Sequence, residues 1–208
     1  MNWCKASDHF QFIVWCFSGR SLYSLINFFT TPESGAIIMG LISRKEFTSL
    51  EDLFLDQIQD LYDAENRLTN MLPQMADAAL SVELKSTFRT HVRDVDEHLK
   101  RLEVVFLEMR LEPRRQACEA MKRMIRMGDE MVKAKGDPMV RDAALIATAQ
   151  RFDHYKIAGY GTARSFARRL GKKHLAAVLE ANLEDENAAD NILTEIAEKT
   201  TNQAAARS

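Results

Sequence analysis

The apolar residues of this chain recur at intervals of three and four over four long stretches. These stretches cover about residues 48–79, 81–110, 137–170 and 172–199. Such spacing places the apolar side chains on one face of an α-helix. The 208 residues include only eight glycines and four prolines, which leaves little material for turns between many strands. The pattern predicts an all-α protein with almost no strand.

Capping residues indicate where these helices begin and end. Thr48 or Ser49 can cap the first helix, and Ser81 can cap the second, because serine and threonine side chains accept hydrogen bonds from free helical N–H groups. Asp137-Pro138 provides a cap and a first helical residue for the third helix, which Gly171 ends. The boundaries therefore predict four separate helices of several turns each.

The spacing of the joins predicts how the helices are arranged. Tight joins at 80–81 and 171 make antiparallel hairpins of the first pair and the last pair, although Pro73 is expected to kink or interrupt the first helix. Residues 111–136 form a bridge with weaker periodicity, expected to hold one or two short helices. A bridge of this length can return along the bundle, as the crossover of a ferritin-like four-helix bundle does.

The two ends of the chain differ from its centre. Residues 1–38 hold both tryptophans and two of the three cysteines. One interpretation is a secretory signal, but no clean cleavage pattern follows. We favour Met39 as the natural start, with an over-extended reading frame before it. The predicted division is an N-terminal extension (1–38), a bundle domain (39–200) and a frayed polar tail (201–208).

Composition limits the classes of function. The formal net charge of −2 does not indicate nucleic-acid binding, and the local basic run at 164–173 is explained by a solvated helix end. The chain contains no run of about eighteen apolar residues, so the sequence predicts no membrane-spanning helix. Cys4, Cys16 and Cys118 are scattered and form no CxxC pair, which favours a reducing compartment and hence the cytoplasm.

Polar residues interrupt the apolar face of every long helix. They are Glu65 in the first helix, His91 and His98 in the second, Lys156 in the third, and Glu186 and Asp190 in the fourth. Asp94 lies beside the same face of the second helix. Because an unpaired buried charge costs several kcal/mol, such groups are normally paired or bound to metal. A carboxylate and imidazole metal centre inside the bundle is the leading hypothesis.

Each of these residues also has a structural interpretation. A shift of one position in the helical register would turn Glu65 toward solvent. His91 and His98 can be core histidines with ordinary hydrogen-bond partners, and Asp94 belongs to a charge run that is typical of a solvated face. The spacing alone therefore leaves both interpretations open.

Residues 48–200 resemble the YciE/YciF-type ferritin-like proteins, a bacterial stress-associated family described as ferroxidases. The matching stretches are Leu61-Tyr62-Asp63-Ala64-Glu65, Leu72-Pro73, His91, Arg101-Leu102-Glu103, Phe106, Cys118-Glu119-Ala120-Met121, Asp142-Ala143-Ala144-Leu145-Ile146, His154-Tyr155, Ile157-Ala158-Gly159-Tyr160-Gly161-Thr162, Leu179, Leu183, Glu186 and Ala189-Asp190. The resemblance implies a dimeric four-helix bundle with a rubrerythrin-like metal site. It also places the usual start near Met39.

The resemblance implies a set of metal ligands, with departures. Glu65 matches the family's first-helix glutamate, Asp94 stands at a glutamate position, and His98 stands where glutamine or histidine is found. The family's Glu-His-Tyr-Glu in the third helix is Asp153-His154-Tyr155-Lys156 here, and a Glu-Glu pair in the fourth is Asp185-Glu186. Lys156 therefore puts a cation in place of a carboxylate.

Three hypotheses of function follow. The first is a ferroxidase-like protein that binds one or two iron ions, or manganese or zinc, among Glu65, Asp94, His98, Asp153, Glu186 and Asp190, and oxidises Fe(II) with O2 or peroxide. The second is a non-catalytic bundle in which Lys156 replaces the metal by ion pairs. The third is a mononuclear metal site that uses only half of these residues.

Overall fold

The computed structural model describes residues 45–207 of the chain, and this part contains helices and no strand. The long helices are α1 (Leu50–Ala78), α2 (Val82–Glu108), α4 (Pro138–Arg169) and α5 (Lys173–Ile196), with the shorter α3 (Glu119–Val132) between α2 and α4. The predicted all-α four-helix bundle with a helical crossover is confirmed. The bridge holds one helix, α3, which agrees with the one or two short helices that the sequence predicted.

The predicted caps form. Ser49 and Asp52 make a reciprocal capping box at the start of α1, Ser81 accepts a hydrogen bond from Leu84 N–H, and Asp137 accepts from the first turn of α4. Gly171 has a positive φ of 74°, a conformation that glycine adopts without the steric cost of a Cβ atom. These local interactions determine the ends of the helices.

Pro73 does not interrupt α1, which continues through it to Ala78. Of the two expected effects, the interruption is therefore wrong, and a kink at Pro73 stays a prediction. A proline removes one backbone hydrogen bond from a helix. Here the neighbouring Leu72 and Met75 are fully buried, so tertiary packing holds the last turns of α1 in place.

The helices pack as two hairpins, α1 with α2 and α4 with α5, that face each other. In the bundle α2 lies against α5 and α1 lies against α4, while α3 packs on α1 and α4. At Gly159 of α4, an added Cβ atom would lie 2.8 Å from Leu61 Cδ2 of α1. The absence of a side chain at Gly159 thus permits the close approach of α1 and α4.

Two apolar clusters fill the bundle, one toward each end. The first includes Phe88 and Phe152, and the second includes Phe106 and Tyr160. Between Phe88 and Phe106 on α2, and between Phe152 and Tyr160 on α4, the buried positions include polar residues. A polar layer therefore lies at mid-height, enclosed by apolar side chains on both sides.

The C-terminal segment is helical beyond α5. A π-helical turn spans Ala197–Thr201 and is followed by the short helix α6 (Asn202–Ala205). Thr201 is buried, so the predicted frayed tail is ordered as helix as far as Ala205. The predictions for residues 1–38 lie outside the described residues. Within residues 45–207 no helix is both long enough and apolar enough to cross a bilayer.

Candidate metal centre

Each of the four long helices contributes to a polar cluster in the middle of the bundle. Its members are Glu65 from α1, His91 and His98 from α2, Asp153 and Lys156 from α4, and Glu186 from α5. The exposed fraction of every one of these side chains is 4% or less. Six ionisable groups thus share a space that water does not reach.

One half of the cluster consists of Glu65, His98 and Glu186. His98 Nδ1 lies 3.1 Å from both Glu65 Oε1 and Glu186 Oε1. Tyr160 Oη donates a hydrogen bond of 2.7 Å to Glu65 Oε1. The carboxylate oxygens Glu65 Oε1 and Glu186 Oε1 in this half are therefore already hydrogen-bonded.

The other half consists of His91, Asp153 and Glu186, so that Glu186 belongs to both. His91 Nε2 lies 3.7 Å from Asp153 Oδ1 and 3.8 Å from Glu186 Oε2. Neither carboxylate oxygen of Asp153 has a hydrogen-bond partner, and Glu186 Oε2 has none either. Three buried acceptor oxygens without partners are unusual, because such groups are costly to bury.

Lys156 lies between the two halves. Its Nζ atom is 2.5 Å from Glu186 Oε1 and 3.4 Å from Glu65 Oε2, and it is also 3.4 Å from His91 Nε2. The side chain is fully buried. The ammonium group therefore neutralises carboxylates that would otherwise repel each other inside the bundle.

The charges of the cluster change the pKa values of its members. Burial opposes the charged form of Lys156, but Glu186, Glu65 and Asp153 outweigh it and raise the pKa of the lysine. Burial likewise opposes ionisation of His98, yet Glu186 and Glu65 raise the pKa of His98 to about 9. The pKa of Glu186 is held well below its ordinary value, against the effect of burial, by Lys156, His91 and His98.

Asp153 behaves differently from the two glutamates. Burial raises the pKa of Asp153 to about 7, and Glu186 and Asp190 add to that effect while His91 opposes it. The pKa of His91 is also raised, since Asp153 and Glu186 outweigh burial and the nearby Lys156. The half-site around Asp153 is therefore the part of the cluster where negative charge is least compensated.

Both halves have donor sets that suit a transition-metal ion. Within the described part of the chain, Glu65, His98 and Glu186 form one group, and His91, Asp153 and Glu186 form the other, with the ligand atoms of each group within 4.8 Å of one another. Carboxylate and imidazole ligands together suit iron, manganese or zinc. The second group fits an ion better, because its oxygens have no hydrogen bonds to lose.

Two residues that the sequence placed in the site lie elsewhere. Asp94 is half-buried and lines a surface groove instead of the cluster. Asp190 accepts a hydrogen bond of 3.1 Å from Gln150 Nε2 and lies 3.4 Å from His154 Nε2. Asp94 is turned about 60° from His91, and Asp190 about 40° from Glu186, around the helix axis. They border the face of the cluster, but their side chains meet other surroundings. Their expected convergence with the other ligands is not seen.

Other residues near the cluster were not among the metal ligands that the first hypothesis named. Tyr160 follows Lys156 by one helical turn, so its spacing could have placed it on the same face. Asp185 lies 2.6 Å from Arg101 Nη1, which also donates to Asn182 Oδ1. The Asp185 and Arg101 pair joins α5 to α2 beside the cluster, and only the packing of the two helices shows this.

Comparison with known proteins identifies the family. The sequence model described as "Domain of unknown function (DUF892)" matches residues 49–206. The chain belongs to this family. It is 37% identical to protein YciF of Escherichia coli strain K12 over 158 residues, which is 76% of this chain and 95% of that protein. The predicted resemblance to YciF-type proteins is thereby confirmed.

Solved structures support the same assignment. The crystal structure of the E. coli stress protein YciF matches with a TM-score of 0.72 at 36% identity, over 75% of this chain and 99% of that chain. YcfI from Rhodopseudomonas palustris, for which a structural role is suggested, matches with a TM-score of 0.70 at 34% identity, over 74% and 97%. A Xanthomonas campestris protein at 19% identity, with a TM-score of 0.61 over 76% and 98%, shares the fold. The chain is thus a YciF-like protein with buried carboxylates and histidines that could bind metal.

Proposed function

We propose that this protein is a stress-associated ferroxidase that binds Fe(II) in the half-site of His91, Asp153 and Glu186. In this proposal it acts in the cytoplasm as a homodimer, with O2 or peroxide as the oxidant. One supporting observation outweighs the others. Asp153 is fully buried, and both of its carboxylate oxygens lack a hydrogen-bond partner.

The burial of Asp153 has a physical cost that a metal ion would remove. An unpaired carboxylate in an apolar environment must either take up a proton or bind a cation. The pKa of about 7 for Asp153 shows that burial favours the protonated form when no ion is bound. A divalent cation held by Asp153, Glu186 Oε2 and His91 Nε2 would supply the missing partner to the Asp153 oxygens and to Glu186 Oε2.

The same groups favour the oxidised product over the substrate. Over two turnovers of this single-ion site, two Fe(II) ions give up one electron each, and one hydrogen peroxide molecule with two protons accepts them to form two water molecules. The product Fe(III) carries one more positive charge than Fe(II), so the carboxylates Asp153 and Glu186 stabilise it more strongly. Removal of Fe(II) in this way would limit its reaction with peroxide outside the protein.

Lys156 leads us to propose one tightly bound ion per chain and not two. Its ammonium group lies 2.5 Å from Glu186 Oε1 and 3.4 Å from Glu65 Oε2, where a second ion would share the same oxygens. At such a short distance, the positive charges of the ammonium group and of a second ion repel each other strongly, because the dielectric constant inside the bundle is low. The half-site of Glu65, His98 and Glu186 would thus be held by internal ion pairs.

A second function is favoured by the same lysine. If Lys156 together with His91 and His98 satisfies the carboxylates completely, the bundle needs no metal and serves a structural or interaction role during stress. The suggested structural role of the related YcfI agrees with this alternative. The two functions differ in a single measurable quantity, the affinity for a divalent transition-metal ion.

An anaerobic titration with Fe(II), followed by exposure to hydrogen peroxide, tests the proposal. We expect one ion per chain, and we expect Asp153→Asn to lower the affinity at least tenfold and to slow oxidation in parallel. Asp190→Asn is the control, since Asp190 is a carboxylate of α5 that lies outside both half-sites and already has partners in Gln150 and His154.

The possible results separate the two functions. Binding that survives in Asp190→Asn but fails in Asp153→Asn supports the metal site. If neither Fe(II) nor Co(II), Mn(II) or Zn(II) binds to the unaltered protein, the ferroxidase proposal is wrong and the ion-pair alternative takes its place.

A further inference from the structure

A surface groove leads to the buried cluster from the side of α2 and α5. It encloses a cavity of about 210 Å³, and the described residues that line it belong to those two helices alone. Most of them have small side chains, including Ser86, Thr90, Ala188 and Ala189. The small side chains leave a gap between two helices that otherwise pack closely.

His91 connects this cavity with the metal-binding half-site. Its ring lines the cavity, while its Nε2 atom lies 3.7 Å from Asp153 Oδ1 and 3.8 Å from Glu186 Oε2. These two oxygens have no hydrogen-bond partner. His91 thus contacts both the groove and the half-site that holds the unpaired oxygens.

Two carboxylates, Asp94 and Asp185, also line the groove. Asp185 is 41% exposed and paired with Arg101 at 2.6 Å. Among the described residues, no basic side chain lies within ion-pair distance of Asp94. Asp94 thus provides a negative charge at the surface outside His91 that no ion pair with another described residue neutralises.

A larger cavity of about 530 Å³ lies elsewhere on the bundle and offers a comparison. Its lining includes Arg168, Lys173 and Glu180, and none of the six residues of the buried cluster. Its two basic side chains are matched by two acidic ones, Glu180 and Glu184, so it carries no excess negative charge that would attract a divalent cation. Size alone does not determine where an ion could enter.

We infer that the groove between α2 and α5 is the entry route for divalent metal ions, in which Asp94 attracts the hydrated ion and His91 passes it to Asp153 and Glu186. This inference rests on the proposed function, because it requires that the half-site binds metal. It assigns Asp94 a role in capture instead of ligation. It also explains why a carboxylate so close to His91 in sequence does not reach the cluster.

The inference makes a kinetic prediction that a ligand role for Asp94 does not make. A group that acts only at the entrance changes how fast an ion enters and leaves, whereas a ligand changes how tightly it is held. One attracting charge at the mouth of a cleft can change an association rate by about threefold to tenfold, and salt weakens the effect.

The experiment is a stopped-flow measurement with Co(II), whose visible absorption reports binding without any redox step. In Asp94→Asn we expect the association rate constant to fall about threefold to tenfold and to depend less on ionic strength, with the dissociation constant changed less than twofold. The matched control is Asp96→Asn, an exposed aspartate on the same helix that does not line the groove.

A steric variant tests the route independently of charge. Ala188→Phe would fill part of the groove and should slow both association and release of Co(II). Its control is Ala177→Phe, which places the same ring beside the larger cavity on the same helix. Slowing in both test variants, with neither control affected, supports the groove as the entrance.

The other outcomes overturn the inference in distinguishable ways. If Asp94→Asn weakens equilibrium binding tenfold while association is unchanged, Asp94 is a ligand and not part of an entrance. If Asp94→Asn and Ala188→Phe both bind Co(II) at the normal rate, the ion enters elsewhere, although the metal site itself stands. If the unaltered protein does not bind Co(II), the proposed function fails and the entry route fails with it.

Discussion

At the scale of single residues, Lys156 determines what the cluster can bind. It lies at a core-facing position where the family resemblance implies a carboxylate, and its ammonium group contacts Glu186, Glu65 and His91. Removing one partner from a buried charge network typically costs about 3–5 kcal/mol, since it leaves an uncompensated charge. The lysine is thus expected to stabilise the metal-free protein and to limit metal binding.

Replacement of Lys156 by a carboxylate tests both effects. Lys156→Glu should raise the bound metal from one ion toward two ions per chain. It should also lower the free energy of unfolding of the metal-free protein, because the new carboxylate adds repulsion to an acidic cluster. Elemental analysis and urea unfolding measure the two changes, with Lys100→Glu as control because Lys100 is 66% exposed. Two ions per chain in the unaltered protein would contradict the expectation.

The raised pKa values of Asp153 and His98 predict how the stability of the metal-free protein depends on pH. The folded protein holds the Asp153 proton up to about pH 7, whereas an unfolded aspartic acid loses it near pH 4. Stability therefore falls as the pH rises between these values. His98, with a pKa of about 9, contributes stability that is present below about pH 6.5 and lost as the pH rises toward 9.

Glu65 and Glu186 change the stability with pH in the opposite direction, but only at acidic pH. Their lowered pKa values add stability as the pH rises toward about 4.5 and not beyond. Urea unfolding with a chelator present should show decreasing stability from about pH 5 to pH 9. Asp153→Asn should reduce the pH dependence of the free energy of unfolding below about pH 7. Asp77→Asn, at an 80% exposed position, should leave it unchanged. A constant stability over this range would disprove the assignment.

At the scale of elements, one buried aspartate attaches the crossover to α1. Asp63 accepts hydrogen bonds from Arg67 Nε at 2.7 Å, Arg115 Nε at 2.9 Å and Cys118 N–H at 2.9 Å. Arg115 and Cys118 belong to the segment that enters α3. The periodicity of the bridge is weak, so these charge-assisted hydrogen bonds position α3 where local pattern does not.

Asp63→Ala tests this attachment. The loss of hydrogen bonds to a buried carboxylate should lower the free energy of unfolding by about 2–4 kcal/mol. Amide hydrogen exchange should increase first in residues 111–132, since that segment loses its anchor. The control is Asp77→Ala on the same helix. Uniform loss of protection over all helices would mean that Asp63 stabilises the whole bundle and not the crossover in particular.

The helix ends and the bundle topology were predictable at this same scale. Ser49, Ser81, Asp137 and Gly171 act where the sequence placed them, because caps depend on residues within one turn. The effect of Pro73 was not predictable in this way. Whether a helix survives a proline depends on the packing around it, and that involves residues distant in sequence.

At the scale of the whole molecule, two apolar clusters enclose one polar layer, and the family match covers this bundle. The match begins at residue 49, and the capping box of α1 begins with Ser49. These observations support the expectation that the bundle folds by itself.

A shortened chain that starts at Met39 should therefore fold as well as the complete one. We expect helix-dominated circular dichroism and a midpoint of thermal unfolding within a few degrees of that of the full chain. Co(II) binding by the two forms should also agree. A truncated protein that loses cooperative unfolding would show that residues 1–38 contribute to the core and that the predicted boundary is wrong.

The sequence by itself determined the class of fold, the helix ends and the presence of polar groups on four inward faces, because helical periodicity and capping act over a few residues. It did not determine which of those groups meet. Asp94 and His91 differ by about 60° around the axis of α2, from the 100° that each residue turns, and a difference of that size separates a ligand from a groove residue. Only the packing of α1, α2, α4 and α5 decided that Asp153 lacks a hydrogen-bond partner, that Glu186 is shared, and that Lys156 lies between the two half-sites.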